Sequence, residues 1–267
     1  MRNMKIPPEH PRAVSLRIRE KLIEHCRKAV VAAAGLIAHG RGEAFDYLLG
    51  ERTTKPALNA MKAAAATLLT AEKPVVSVNG NTAALVAGEI VSLAQITNAK
   101  IEINLFHRSL ERELTIKELI EKAGAHEVLG TGKDASAKIP ELRSGRRRVD
   151  PRGILVADVV LVPLEDGDRT EALIKMGKKV IAIDLNPLSR TSQRATITIV
   201  DNVVRTMPKL VETARMLKQD LKKCHEILLN FDNKKNLAES IILIKERLSE
   251  AAEKGEHLTL EDERHEF

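Results

Sequence analysis

Residues suited to charged ligands gather in four places along the chain. Asp184-Leu185-Asn186 is followed closely by Arg190-Thr191. A carboxylate in that setting accepts hydrogen bonds from sugar hydroxyls, and a guanidinium meets phosphate oxygens as a planar fork. An Asx-type turn around Pro187 would use the same residues without a ligand. The run from Arg143 to Arg152 holds Arg146, Arg147, Arg148 and Arg152. It leads into an apolar stretch at Ile154, which ties its end to the body of the protein. In isolation, phosphate binding and a solvated basic loop explain it equally well. Asn79-Gly80-Asn81-Thr82 joins a β-type run to a helical one. Asn79-Gly80 suits positive φ, and Asn81 or Thr82 can cap a helix whose N–H groups receive phosphate or carboxylate. An ordinary capped βα turn is the commoner explanation of that pattern. Acids Glu165, Asp166 and Asp168, and the pair Asp201-Asn202, each follow an apolar run.

Other polar residues carry less. His39 and His107 could act as general bases, but satisfied loop histidines are more common. Gly130-Thr131-Gly132-Lys133 lacks the spacing of a phosphate loop, and Asp134 follows its lysine. No Ser-His-Asp order assembles, and no nucleophile stands out.

Positioning these groups falls to alternating strands and helices. Apolar, β-branched runs cover Ile154 to Val162, Val180 to Asp184 and Ala195 to Val200. An amphipathic stretch from Arg169 to Lys178, closed by Gly177, separates the first two. Near-continuous apolar strands imply burial on both faces of a parallel sheet, and ligands of such sheets bind beyond the carboxyl ends of the strands. Glu165 to Asp168, Asp184 to Thr191 and Asp201-Asn202 fall at such ends, whereas the Arg143 to Arg152 run leads into the Ile154 strand. Upstream, Pro74 to Val78 and Lys100 to Phe106 read as strands, with helices from Ala83 to Ile96 and from Leu110 to Ala123. Gly130 to Gly153 reads as a long irregular loop. One helix is expected from Pro11 to a break at His39-Gly40-Arg41-Gly42, then a short one to Leu49 and an Ala-rich one from Ala57 to Thr70. A helix from Asn202 or Thr206 to about Asn230 and another from Asn236 to Lys254 complete the pattern. The fold class is therefore α/β, a mostly parallel Rossmann-like sheet flanked by helices, with an N-terminal helical layer. Residues 1–72 form that layer, 73–230 the binding core and 231–267 a last helix and charged tail, expected to make one compact unit.

Bulk properties narrow the class. The chain has 267 residues, 43% hydrophobic and 30% charged, with a net charge of +6. No apolar run reaches membrane-span length, and the N-terminus lacks the apolar core of a secretory signal. Cys26 and Cys224 have no metal or disulfide spacing and read as reduced thiols of a cytoplasmic protein. No Trp, one Tyr and four Phe leave few platforms for stacking nucleic-acid bases. A nucleotide- or nucleic-acid-binding regulatory protein using Arg143 to Arg152 stays as the alternative function.

Taken together, VNGNTAALVAGE, RSGRRRVDPRGI, ADVVLVPLEDGDRTEAL and IAIDLNPLSRTSQ resemble the archaeal 4-phosphopantoate–β-alanine ligase family, over nearly the whole chain. The resemblance implies an ATP-dependent, Mg2+-requiring amide ligase of coenzyme A biosynthesis. It would join 4-phosphopantoate and β-alanine through an acyl-adenylate, releasing AMP and diphosphate. It also implies a homodimer with no nucleic-acid or membrane partner. ATP contacts are implied at Arg19, Arg41, Asp184, Leu185, Asn186, Arg190, Thr191, Asn202 and Val203. Arg190 is the expected catalytic cation. Asn79, Asn81, Arg147, Arg148 and Arg152 are expected to bind the phosphorylated acid, and no residue is assigned to a metal.

Overall fold

The computed structural model describes residues 6–163 and 167–255. Helices α1 (Ala13–Arg27), α2 (Ala33–Leu49) and α3 (Lys55–Leu69) precede the first strand, β1 (Pro74–Val78). Then come α4 (Gly80–Thr97), β2 (Lys100–Ile103) and α5 (Leu110–Lys122). A small antiparallel pair, β3 (Ala137–Lys138) and β4 (Arg148–Val149), lies in the stretch expected to be irregular. Strand β5 (Val159–Pro163), α6 (Gly167–Lys175), β6 (Lys179–Ile183), α7 (Arg190–Arg194) and β7 (Ile197–Ile199) follow. Helices α8 (Val203–Leu217), α9 (Leu221–Asn230) and α10 (Asn233–Lys254) end the described chain.

The five main strands are all parallel, in the order β2-β1-β5-β6-β7. Alternation along each strand divides the core. Val159 and Leu161 join one cluster with the alanines of α3 and with Ile90 of α4 and Leu210 of α8. Val160 and Val162 join the other, with Leu173 of α6, Ile139 and Ile154. The Ala-rich helix α3 is therefore core, with Ala57, Ala60 and Ala63 to Ala66 fully buried. Small side chains let it lie close to the sheet and α8.

Several boundaries differ from the sequence reading. The first helix breaks at Ala29, which takes φ 59°, and not at His39 to Gly42. Helix α2 runs through both of those glycines, and a Cβ on Gly42 would stand 3.5 Å from Leu185. The helix expected to reach Asn230 divides at Asp220, whose side chain accepts from Lys223 N at 2.9 Å and starts α9. The apolar run from Ile154 is no strand until Val159. Its first N–H, that of Ile154, is already taken by a side chain, Glu102.

Glu102 is fully buried on β2. Its carboxylate accepts from Asp150 N at 3.0 Å and Ile154 N at 2.5 Å. A Cβ on Gly153 would run into it, which is why a glycine stands there. Burial raises the carboxyl to about 7, against the pull of those two backbone donors. A raised carboxyl favours folding most below its unfolded value, and that contribution is lost as pH climbs through about 7. The shift corresponds to roughly 3 kcal/mol. Glu102→Gln replaces one acceptor with a donor facing a backbone N–H. It should lower stability by about 1–3 kcal/mol and remove the fall in stability between about pH 4.5 and 7, read by denaturant titration of both proteins across that window.

Candidate active site

A cleft of about 620 Å³ opens over the carboxyl ends of the strands. Its floor comes from the loops after β1 (Asn79 to Asn81), β2 (Leu105 to His107) and β6 (Asp184 to Thr191). Helix α2 forms the facing wall with Gly35, His39, Arg41 and Phe45, and Arg112 and Arg146 close one end.

The β6 loop is built by its own side chains. Asp184 accepts from Asn186 N at 3.0 Å and from Ser189 Oγ at 2.5 Å. Ser189 caps α7 through Ser192 N at 2.9 Å, and Asn186 Oδ1 accepts from Leu188 N at 2.9 Å. The Asx-turn reading is thus part of the geometry, and the turn sets Asp184 and Asn186 at the cleft. Burial raises the Asp184 carboxyl, while Ser189 and Asn186 and the charge of Arg41 act the other way. A carboxylate with donors on both oxygens still has acceptor capacity for sugar hydroxyls.

The turn after β1 is equally self-supporting. Asn79 Oδ1 accepts from Thr82 N at 3.0 Å, and Thr82 Oγ1 accepts from Asn79 N at 3.1 Å. This capping box satisfies donors at the start of α4. Asn79 Nδ2 donates to Pro163 O at 2.9 Å, and Asn81 Nδ2 to Gly35 O at 2.9 Å. Asn79, not Asn81 or Thr82, is the cap. Gly80 is the first helical residue and does not take positive φ, in contrast to the turn expected from Asn79-Gly80. Glycine is needed there for space, because a Cβ would overlap Val30 O and stand 3.0 Å from Arg112 Nη2.

The expected site residues divide into two sets. Arg41, Asn79, Asn81, Asp184, Leu185, Asn186, Arg190 and Thr191 line the cleft together. Arg19, Arg147, Arg148, Arg152, Asn202 and Val203 are not in its walls. Arg19 pairs with Glu43 of α2 at 2.6 Å, and Asn202 Nδ2 donates to Asp46 of α2 at 2.9 Å. Arg148 donates to Ala135 O at 3.3 Å and Gly132 O at 2.9 Å. Arg152 grips Asp150 at 2.9 Å, with Glu127 and Asp134 nearby. From the basic run it is Arg146, not its neighbours, that lines the cleft. Arg190 stands at the rim, 62% exposed, and binds Asp168 and Glu171 of α6. Glu165 and Asp166 lie outside the described residues.

Sequence reasoning passed over Arg112, Ser189 and Gly35. Ser189 carries an N-cap signal, but Arg112 sits in a stretch that reads as an ordinary surface helix. His39 lines the cleft, and burial lowers its imidazole, with Glu43 opposing and Arg19 assisting.

A doubly wound parallel α/β sheet, with arginines and a hydroxyl-accepting loop over its carboxyl ends, defines a protein that binds phosphorylated small molecules. The profile of the phosphopantothenate/pantothenate synthetase family matches residues 56–247. A 4-phosphopantoate–β-alanine ligase of Thermococcus kodakarensis is 54% identical over 252 residues, 94% of this chain and 96% of that protein. Its namesake in Methanosarcina mazei is 52% identical, covering 94% and 98%. A third, from Methanospirillum hungatei, is 54% identical over 215 residues, 80% and 87%. The chain belongs to the phosphopantothenate/pantothenate synthetase family.

Because the Gly80 contact sets the spacing of α4 from the Val30 segment, Gly80→Ala should cost on the order of 1–3 kcal/mol by overpacking. Gly88, with open space around its Cβ position, is the control. Gly88→Ala should leave thermal unfolding unchanged or raise the midpoint, as expected for Gly to Ala within a helix.

Proposed function

We infer that the protein is an ATP-dependent ligase that joins 4-phosphopantoate to β-alanine and yields 4-phosphopantothenate, AMP and diphosphate, in coenzyme A biosynthesis. The observation that carries this reading is the cleft itself. In a chain of this family, it places a hydroxyl-accepting loop and several guanidinium groups around one space large enough for a nucleotide and a small acid.

A carboxylate is a poor acyl donor. Here its oxygen attacks the α-phosphorus of ATP, the bond to the bridging oxygen breaks, and diphosphate leaves. The neutral amine of β-alanine then attacks the acyl carbon, the bond to AMP breaks, and the surplus proton on nitrogen passes to solvent. Both steps build negative charge on oxygen, so fixed cations and close positioning are the protein's main contributions. Asp184 and Asn186 would hold the ribose, while Arg41, Arg190 and Thr191 would meet the phosphates. Arg19 and Asn202 act on this site by bracing α2, through Glu43 and Asp46. Asn79 and Asn81 would shape the place of the acid.

Mg2+ enters with the phosphates of ATP as part of that substrate. It needs only one or two protein carboxylates when phosphates supply its other ligands. Among the described residues no group of three or more His, Cys, Asp or Glu could hold a metal. We also propose a homodimer, as the family resemblance implies, working in the cytoplasm. Among the described residues no helix is long and apolar enough to cross a membrane.

Protein, MgATP, 4-phosphopantoate and β-alanine should together give AMP and the amide; AMP release that ignores β-alanine, with no amide formed, would remove the assignment. Arg190→Ala should lower kcat by roughly 100-fold. Its melting temperature should stay near that of the parent, since its exposed ion pairs contribute little.

A further inference from the structure

Two arginines in adjacent turns at the start of α5 have opposite surroundings. Arg108 is buried and neutralised by Glu113, and it also donates to Arg148 O at 3.1 Å and to Gly130 O. Arg112 has no carboxylate partner among the described residues. Its backbone N–H is fixed by the Ser109 cap at 3.3 Å. Its guanidinium donates to Val30 O at 2.9 Å and to His107 O, both neutral acceptors. Its Nε is buried without a partner. Burial lowers its affinity for its proton, the mark of a cation stripped of water without compensation. Yet the side chain lines the cleft. A half-desolvated cation of this kind is costly unless an anion joins it.

Its place in the cleft says which anion. Arg112 lies by Gly80 and His107, at the β1–β2 end of the sheet. Asp184, Arg190 and Thr191 lie at the β6 end. Two strand spacings separate β1 from β6, roughly 10 Å. A nucleotide with its ribose at Asp184 directs its phosphates toward the middle. The acid meets the α-phosphorus there with its carboxylate, so its own phosphate, at the opposite end of a short carbon chain, points to Arg112.

We propose that Arg112 is the binding residue for the phosphate of the acid substrate, and so selects the phosphorylated acid over the free hydroxy acid. This rests on the ligase reading for the identity of the acid, but not for the existence of an anion subsite. The guanidinium fork accepts two phosphate oxygens while its carbonyl contacts hold it in place.

The test uses Arg112→Gln and Arg112→Lys in the full-length protein. For Arg112→Gln, KM for 4-phosphopantoate should rise on the order of 10- to 100-fold. KM for ATP and the rate with unphosphorylated pantoate should stay within about twofold of the parent, so the preference for the phosphorylated acid collapses. Arg112→Lys should recover part of the loss as a point charge. Equilibrium binding of 4-phosphopantoate and of pantoate, measured by calorimetry without ATP, gives the same comparison without turnover. If Arg112→Gln does not fold, the lysine variant decides alone, with reduced affinity for the phosphorylated acid and unchanged affinity for pantoate expected. An unchanged KM and affinity for 4-phosphopantoate, or a loss confined to ATP, overturns the assignment. If the parent forms no amide yet binds 4-phosphopantoate through Arg112, the ligase reading falls and the subsite stands.

Discussion

The site depends on a reversal in the winding of the sheet. From β1 the chain crosses to β2 on one side, whereas β5, β6 and β7 extend to the other. The crossovers from β1 and β5 therefore run toward opposite edges of the sheet, and the cleft lies over the carboxyl ends of the strands around that switch point. Side chains hold the two halves together there. Asn79 reaches from β1 to Pro163 O at the end of β5 at 2.9 Å. Arg169, fully buried on α6, donates to Ser77 Oγ of β1 at 3.0 Å and to Asn104 Oδ1 beyond β2 at 2.6 Å. Asn104 in turn donates to the carbonyls of Arg146 and Arg148 at 3.1 and 3.2 Å. A buried guanidinium is expensive, and an apolar residue of similar bulk could fill the space. What an apolar residue could not do is fix α6, β1 and the basic run in one geometry.

Charge is handled differently inside the cleft and around it. Arg19, Arg108, Arg152 and Arg205 each meet a carboxylate. Arg205 bridges Asp46 at 2.5 Å and Asp201 at 2.6 Å, and so clamps α2 to the start of α8. The pairs of Arg19 and Arg205 act as fasteners for the wall that faces the sheet. In the cleft the cations differ among themselves: Arg190 meets Asp168 and Glu171 at the rim, Arg41 has Asp184 as a neighbour through space, and Arg112 has neutral carbonyls. Two of the arginines in the run expected to meet phosphate are occupied nearby. That also leaves little of the basic stripe a nucleic acid would need.

Much of this was legible in the chain because it is local. Parallel strands announce themselves as continuous apolar runs, and Asp184, Asn186 and Ser189 make their turn from residues within a few positions of one another. What was not legible depends on distant contacts. Ala29 gives no sign that it will take positive φ and end a helix, whereas the glycines of His39 to Gly42 look like breakers. Instead α2 runs through both of them. The run at Ile154 has strand composition, but Glu102, far away in sequence, captures the Ile154 N–H. Charge density marked Arg143 to Arg152 correctly as basic, yet which arginine faces the cleft is settled by Asn104 holding the loop by its backbone. Arg112 carries no pattern at all. It differs from Arg108 only in having no acid within reach, a property of the folded protein.

An uneven distribution of charge has a thermodynamic consequence for the fold. Cations held near one another and partly stripped of water raise the energy of the folded state relative to a chain in which each is solvated. The carboxylate pairs around the wall offset part of that cost and keep the cleft from relaxing, because α2 cannot swing away while Glu43 and Asp46 are gripped. On the proposed reading, anions in the cleft would recover the remaining cost, and phosphorylated ligands would stabilise the fold in proportion to their occupancy. The same feature serves the chemistry. On the proposed reading, cations already oriented would need little rearrangement when negative charge grows on the leaving oxygens, and such preorganisation is a large source of transition-state stabilisation.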